Sequence, residues 1–300
     1  MRMKKKSNRF HAVAALLLAA FVLIGSGCSP TMMRSATIGA IGGPAVLDIL
    51  DVLLDSPNAR VLQEAMPGNI ALITAVTEMA PTRDLYQVCC FVYTSYGIMV
   101  EDKDVPYAKD LYVIGKEYGM KALCMDHDFK AGIDEGKKIP ELTAGLDKRY
   151  TASLAWAGLA TGLLIIHQMD DPLALMGLPD AVALVNRSVE LDDHYFFGVG
   201  KAFLGAYYAL MPEFLGLGGG PVASAEMFNK ARAITGGKFL LVDVFEARYL
   251  KTYIDDREGF DALLNKVLAA DSKELKGGRA LNEMAKVKAN YFLSIADTLF

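Results

Sequence analysis

The sequence predicts an all-α fold of tetratricopeptide-like helical hairpins stacked in a superhelix with degenerate repeats. Three observations carry this. Ala, Leu, Met, Lys and Glu dominate segments of helical period, and strand-like alternation is nearly absent after Pro44. Turn and breaker residues cut the chain into pieces of helical length that fall in pairs. The second member of several pairs carries one small–x3–bulky–x2–small pattern: Ala108, Tyr112, Gly115; Ala181, Val185, Ser188; Ser224, Phe228, Ala231. Small residues at that spacing let two helices approach closely, and the bulky one fills the gap between them. The intervals between matches are uneven and do not follow a period of about 34 residues. An irregular helical bundle is the alternative.

The elements follow in order. Residues 45–55 (AVLDILDVLLD) form a first helix, and 58–66 and 68–80 a pair broken at Pro67-Gly68. Pro81 closes that segment. Residues 83–101 make a long helix that ends in the Asp102-Lys103-Asp104 turn. Pro106 sits in the first turn of the next helix, which runs to Cys124. Residues 126–147 are irregular with short helical pieces. Residues 149–169 are the most apolar helix of the domain. Its uninterrupted apolar run is shorter than the ~20 residues that cross a bilayer, so it is expected at the centre of the fold. Asp170-Asp171-Pro172 stops it. Helices follow over 180–191, 195–210, 221–234, 239–254, 256–270 and 279–299, with a Gly-rich loop before Pro221.

The N-terminus has a different character. Arg2, Lys4, Lys5, Lys6 and Arg9 precede an apolar run from Ala12 to Ile24, then Gly25-Ser26-Gly27 and Cys28. This is the layout of a secretory signal over residues 1–27. A cysteine at the cleavage point resembles a bacterial lipobox, although Gly25 stands where leucine is usual. The resemblance implies lipidation of Cys28, a membrane anchor and a periplasmic location, and Ser29 leans towards the outer membrane. Residues 28–44 read as the lipidated cysteine and a flexible tether, and 45–300 as the helical domain. Residues 1–27 hold five basic and no acidic side chains, so a mature chain is more acidic than the formal charge of −4 for all 300 residues. That balance speaks against nucleic acid as a partner. Cys89, Cys90 and Cys124 show no zinc or disulfide spacing. They read as small core residues, and a bridge from Cys124 to Cys89 or Cys90 stays open.

Chemistry-bearing constellations are weak. His127, His167 and His194 are the only histidines beyond the signal. The GVGK at Gly198–Lys201 lacks the spacing and the Ser or Thr of a phosphate loop. Asp126-His127-Asp128 reads as a solvated loop and Gly218–Gly220 as a turn. No enzyme, cofactor or metal is expected. Binding is the more natural reading, because aromatics crowd the first helices of the hairpins. Tyr93, Tyr96, Trp156 and Tyr207 are candidate ligand-binding residues, and His167 is a candidate polar marker at a channel mouth. Core packing is the alternative for each.

Several longer stretches carry a family resemblance. PEFLGLGGGP (Pro212–Pro221), GGKFLLVDVFEARYL (Gly236–Leu250), IDDREGFDALLNKVLAAD (Ile254–Asp271), the stretch Glu64–Gly97 and ELDDHYFFG (Glu190–Gly198) resemble the T component of tripartite ATP-independent periplasmic (TRAP) transporters. The resemblance covers residues 44–300. It implies a lipid-anchored periplasmic homotrimer with an apolar channel in each protomer, an apolar small-molecule ligand, and a solute-binding P component as partner. A tetratricopeptide-like lipoprotein scaffold for envelope assembly is the competing function.

Overall fold

The computed structural model describes residues 46, 48–211 and 219–300. The signal segment, Cys28 and the tether lie outside the described residues, as does most of the PEFLGLGGGP loop. Every regular element among the described residues is helical. The longer ones are α1 (48–54), α2 (Ala59–Met79), α3 (Arg83–Val100), α4 (Val105–Leu123), α5 (His127–Asp134), α6 (Thr151–Ile166), α7 (Leu178–Leu191), α8 (Tyr195–Leu210), α9 (Pro221–Thr235), α10 (241–253), α11 (Arg257–Ala269) and α12 (Arg279–Ser294).

Local chemistry sets most boundaries. Asn58, Thr82, Asp104, Asp126 and Asp256 each cap the helix that follows by accepting a bond from a first-turn backbone N–H. Gly236 ends α9 in the left-handed conformation that glycine adopts without steric cost. One expected break is absent: α2 runs straight through Pro67. Pro67 and Gly68 are exposed, so water can satisfy the carbonyl that proline leaves unpaired, and the buried stripe Met66, Ile70, Ile73, Thr77 continues across them. Within α10 the segment Glu246–Lys251 widens to a π turn, and Arg232 bonds both Asp243 and Glu246 across it.

Three hairpins share one packing device. The bulky residue of the second helix lies over a glycine of the first. Tyr112 covers Gly97, Val185 covers Gly158 and Phe228 covers Gly205. The polar small residue beside it also bonds across the pair: Ser188 donates to the Thr151 carbonyl at 2.9 Å and Ser224 to the Gly205 carbonyl at 2.7 Å. The pairs α3/α4, α6/α7 and α8/α9 are therefore built by the pattern legible in the sequence. They succeed one another through contacts of α4 with α6 and of α7 with α8, and α12 returns to pack on α2 and close the chain on itself. The apolar α6 is long enough to cross a membrane when Lys148–Tyr150 are counted with it, but most of it is buried at the centre of the fold. Cys89, Cys90 and Cys124 are free thiols, and Cys89 contacts Thr77 Oγ1 at 3.1 Å.

This packing makes a prediction. A methyl group at Gly97 would stand 2.4 Å from the fully buried Tyr112 ring. Gly97→Ala is expected to destabilise the fold by about 1–3 kcal/mol through overpacking. Gly68→Ala, with nothing within 4 Å of the new methyl, should be neutral or stabilising by up to about 1 kcal/mol. Urea midpoints of the two variants check both, and equal midpoints would contradict the packing device.

Candidate functional site

The first helices of the hairpins enclose an apolar space. Ser95 and Ile98 of α3, Trp156, Leu159, Leu163 and Ile166 of α6, Val199, Phe203 and Ala206 of α8, Phe245 and Tyr249 of α10, and Leu281 and Met284 of α12 line it. The non-atom space among these residues, open solvent included, is about 640 Å³. Ser95, the Trp156 indole nitrogen and the Tyr249 hydroxyl are the polar side-chain groups among otherwise hydrocarbon and thioether walls. Trp156 is 2% exposed, and its indole N–H donates to Tyr195 Oη at 3.0 Å. Its ring meets Phe91 edge-on at 4.7 Å and Phe196 at 5.0 Å.

Phe196 reaches that position through unusual backbone. Phe196, Phe197 and Gly198 have φ of 43°, 61° and 81°. Left-handed conformations cost a bulky residue about 1–3 kcal/mol each. Here they turn the Phe196 ring onto Trp156 and the Phe197 ring onto Phe239 at 5.5 Å. Buried aromatic contacts of this kind offset the cost.

Two further spaces share lining residues with the first. One lies between α1, α2, α3 and α12 and shares Ser95, Leu281 and Met284 with the central space. The other shares Met99 and Met284 with that one and is bounded by Gln63, Asp102, Lys103, Lys288 and Tyr291. A fourth space, beside Leu178, Tyr207 and Met211, shares Ile166 and Phe203 with the central one.

A buried ionic cluster stands at the polar end. Lys288 Nζ lies 3.1 Å from Glu101 Oε1 and 2.6 Å from Asp102 Oδ2. Glu101 Oε2 also accepts from Tyr112 Oη at 2.6 Å and contacts His167 Nε2 at 3.0 Å. Burial disfavours the Glu101 carboxylate, but Lys288, His167 and Tyr112 more than offset it and hold its pKa down at about 2. Burial likewise opposes the charged Lys288, and the two carboxylates overcome it and raise its pKa. Asp102 is raised because burial outweighs Lys288 there.

A family model, that of the TRAP transporter T-component, matches residues 57–300. The chain belongs to that family. No curated protein matches it. The T component is thus a TRAP-associated transport protein, and its geometry distributes the sequence candidates unevenly. Trp156 lines the central space and Tyr207 the space beside it. Tyr93 does not line these spaces: it contacts Thr74 Oγ1 at 3.1 Å and stacks on Tyr118. Tyr96 is buried against Tyr107, also away from them. His167, the candidate polar marker, stacks on Tyr112 and contacts Glu101 in the ionic cluster.

Sequence reasoning missed Glu101, Asp102 and Lys288 as a unit. It took Asp102 for part of the turn that ends α3. A signal existed: Lys288 falls on the buried stripe of α12, between Met284 and Phe292 at helical spacing. Among the described residues, Asp192, Asp193 and His194 are the group whose ligand atoms could meet at a metal ion. Lys201 and Lys148 already pair with those carboxylates, and His194 is exposed, so the cluster is a solvated loop.

Proposed function

We propose that this T component is a periplasmic protein anchored through a lipidated Cys28, which assembles as a homotrimer, holds the solute-binding P component near the membrane and takes an apolar molecule into its central space. The observation that carries the ligand part is the apolar space walled by the first helices α3, α6 and α8 and lined by Trp156, with a second apolar space adjoining it. Apolar pockets with few polar groups are the usual form of small-molecule sites. The anchor rests on the signal layout ending at Cys28, and the trimer and the P component rest on family membership.

Trp156 is the chain's one tryptophan and so a clean reporter. Titrating the full chain with decanol, a neutral apolar chain, is expected to shift its emission saturably. Trp156→Phe should keep the fold and silence the signal. An unchanged emission up to the solubility limit of decanol would refute the ligand part. Release of Cys28→Ala protein from the membrane fraction, and co-purification with a P component, test the other parts.

A further inference from the structure

The outer face of α2 carries a second apolar stripe, separate from the buried one. Val61, Ala65, Gly68, Leu72, Ala75 and Met79 follow one another at alternating intervals of four and three residues, the spacing of a heptad seam. All six are exposed, Val61 by 58%, Leu72 by 68% and Met79 by 45%. The buried face of the same helix packs on α3 and α12. A helix that is apolar on both faces fits a second helix laid along the outer one.

The sizes along the stripe are self-complementary. When a second copy is turned end for end and centred on position 70, Val61 stands opposite Met79, Ala65 opposite Ala75 and Gly68 opposite Leu72. A Cβ added at Gly68 meets nothing within 4 Å inside the chain, so the groove over it is open to the Leu72 of another copy. A bulky residue over a glycine is also the device that joins the three hairpins, where Tyr112, Val185 and Phe228 cover Gly97, Gly158 and Gly205.

The flanking charges obey the same two-fold. Arg60 pairs with Glu64 at 2.7 Å, and Lys121 lies 3.8 Å from Glu78. The antiparallel register sets Glu78 of one copy level with position 62 of the other, beside Arg60, and brings Lys121 towards Glu64. A parallel arrangement sets Gly68 on Gly68, which leaves a hole, and brings each charge onto its own kind, which is repulsive. A lipid surface fits less well. Interfacial helices carry Lys and Arg on their polar face, whereas α1 and α2 hold Asp48, Asp51, Asp55, Glu64 and Glu78 against Arg60 alone.

We propose that the outer face of α2 docks on the same face of a second copy of this chain, antiparallel and with two-fold symmetry. One helix pair buries on the order of several hundred Å² per copy, below the ~800 Å² of a stable complex, so the contact is weak and reversible. A two-fold contact is distinct from a three-fold one, and in a trimeric protein it links one trimer to another.

The test uses the full chain with Cys28→Ala and Cys124→Ser. Ala65→Cys is added in one preparation and Ala75→Cys in another. Oxidised as a mixture, the two should give at least tenfold more linked two-chain product than either alone. Ala75→Cys linking mainly to itself would mean a parallel contact and overturn the register, and no linkage in any combination would overturn the contact. Sedimentation of the parent background tests the packing. Gly68→Leu and Leu72→Gly should each weaken the association at least tenfold, and the double variant, which keeps the composition of the helix, should recover it. Stronger association of Gly68→Leu, or no recovery in the double variant, would overturn the proposed pairing. So would binding of phosphatidylglycerol vesicles that Leu72→Gly abolishes, since the stripe would then face lipid. A trimer that persists without any of these two-fold products removes this contact alone and leaves the three-fold assembly standing.

Discussion

Lys288→Met is expected to destabilise the T component by about 3–5 kcal/mol, because it leaves Glu101 and Asp102 buried without their cation. The loss should be recovered largely by adding Glu101→Gln and Asp102→Asn, since removing all charges together leaves no ion stranded in the interior. A urea titration of the single and triple variants checks this. A single variant as stable as the parent would mean that the cluster is hydrated and not part of the core.

The cluster also gives stability a pH dependence. Glu101 is held near 2 in the fold, against about 4.5 in an ordinary carboxyl. Its contribution is therefore complete above about 4.5 and is lost as pH falls towards 2. Lys288 is raised above 10.5, so its contribution is complete below that value and lost as pH rises through its folded pKa. Asp102, shifted upward, works against stability near neutrality. The Lys288→Met protein should lack the alkaline loss and show a much weaker acid limb.

Phe228→Ala is the second large effect. Phe228 is fully buried, and its ring fills the groove that Gly205 leaves in α8. Removing it should cost about 3–5 kcal/mol and loosen α8, whose Phe203 and Ala206 wall the central space. Decanol binding should weaken along with stability. The equivalent truncation in α7, Val185→Ala, removes less volume and should cost less, at about 1–3 kcal/mol. The reverse order would mean that the hairpins do not share one packing rule.

Much of this architecture was readable before any coordinates. Helix periods, caps and prolines placed the elements, because such signals act within a few residues of each other. The small–bulky–small pattern also survived, since Tyr112, Val185 and Phe228 meet glycines on the neighbouring helix, and the partner in each hairpin is close in sequence. The site was harder. Trp156 and Tyr207 border the spaces, but Tyr93 and Tyr96 are equally aromatic and turn elsewhere, and composition does not reveal which face of α3 looks inward. The ionic cluster joins Glu101 to Lys288 across most of the chain, and such pairing has no local signature beyond a lysine on a buried stripe. Phe196 and Phe197 adopt left-handed backbone that sequence rules reserve mainly for glycine, because tertiary contacts with Trp156 and Phe239 outweigh the local preference.

The most direct test of the central claim uses a chain with a heavy atom at its tail. A crystal of the protein grown with 11-bromoundecanoate should show an anomalous bromine peak in the space bounded by Trp156, Leu163 and Phe203. A bromine site confined to the outer surface, or no ordered bromine at a concentration that saturates the Trp156 signal, would contradict the account.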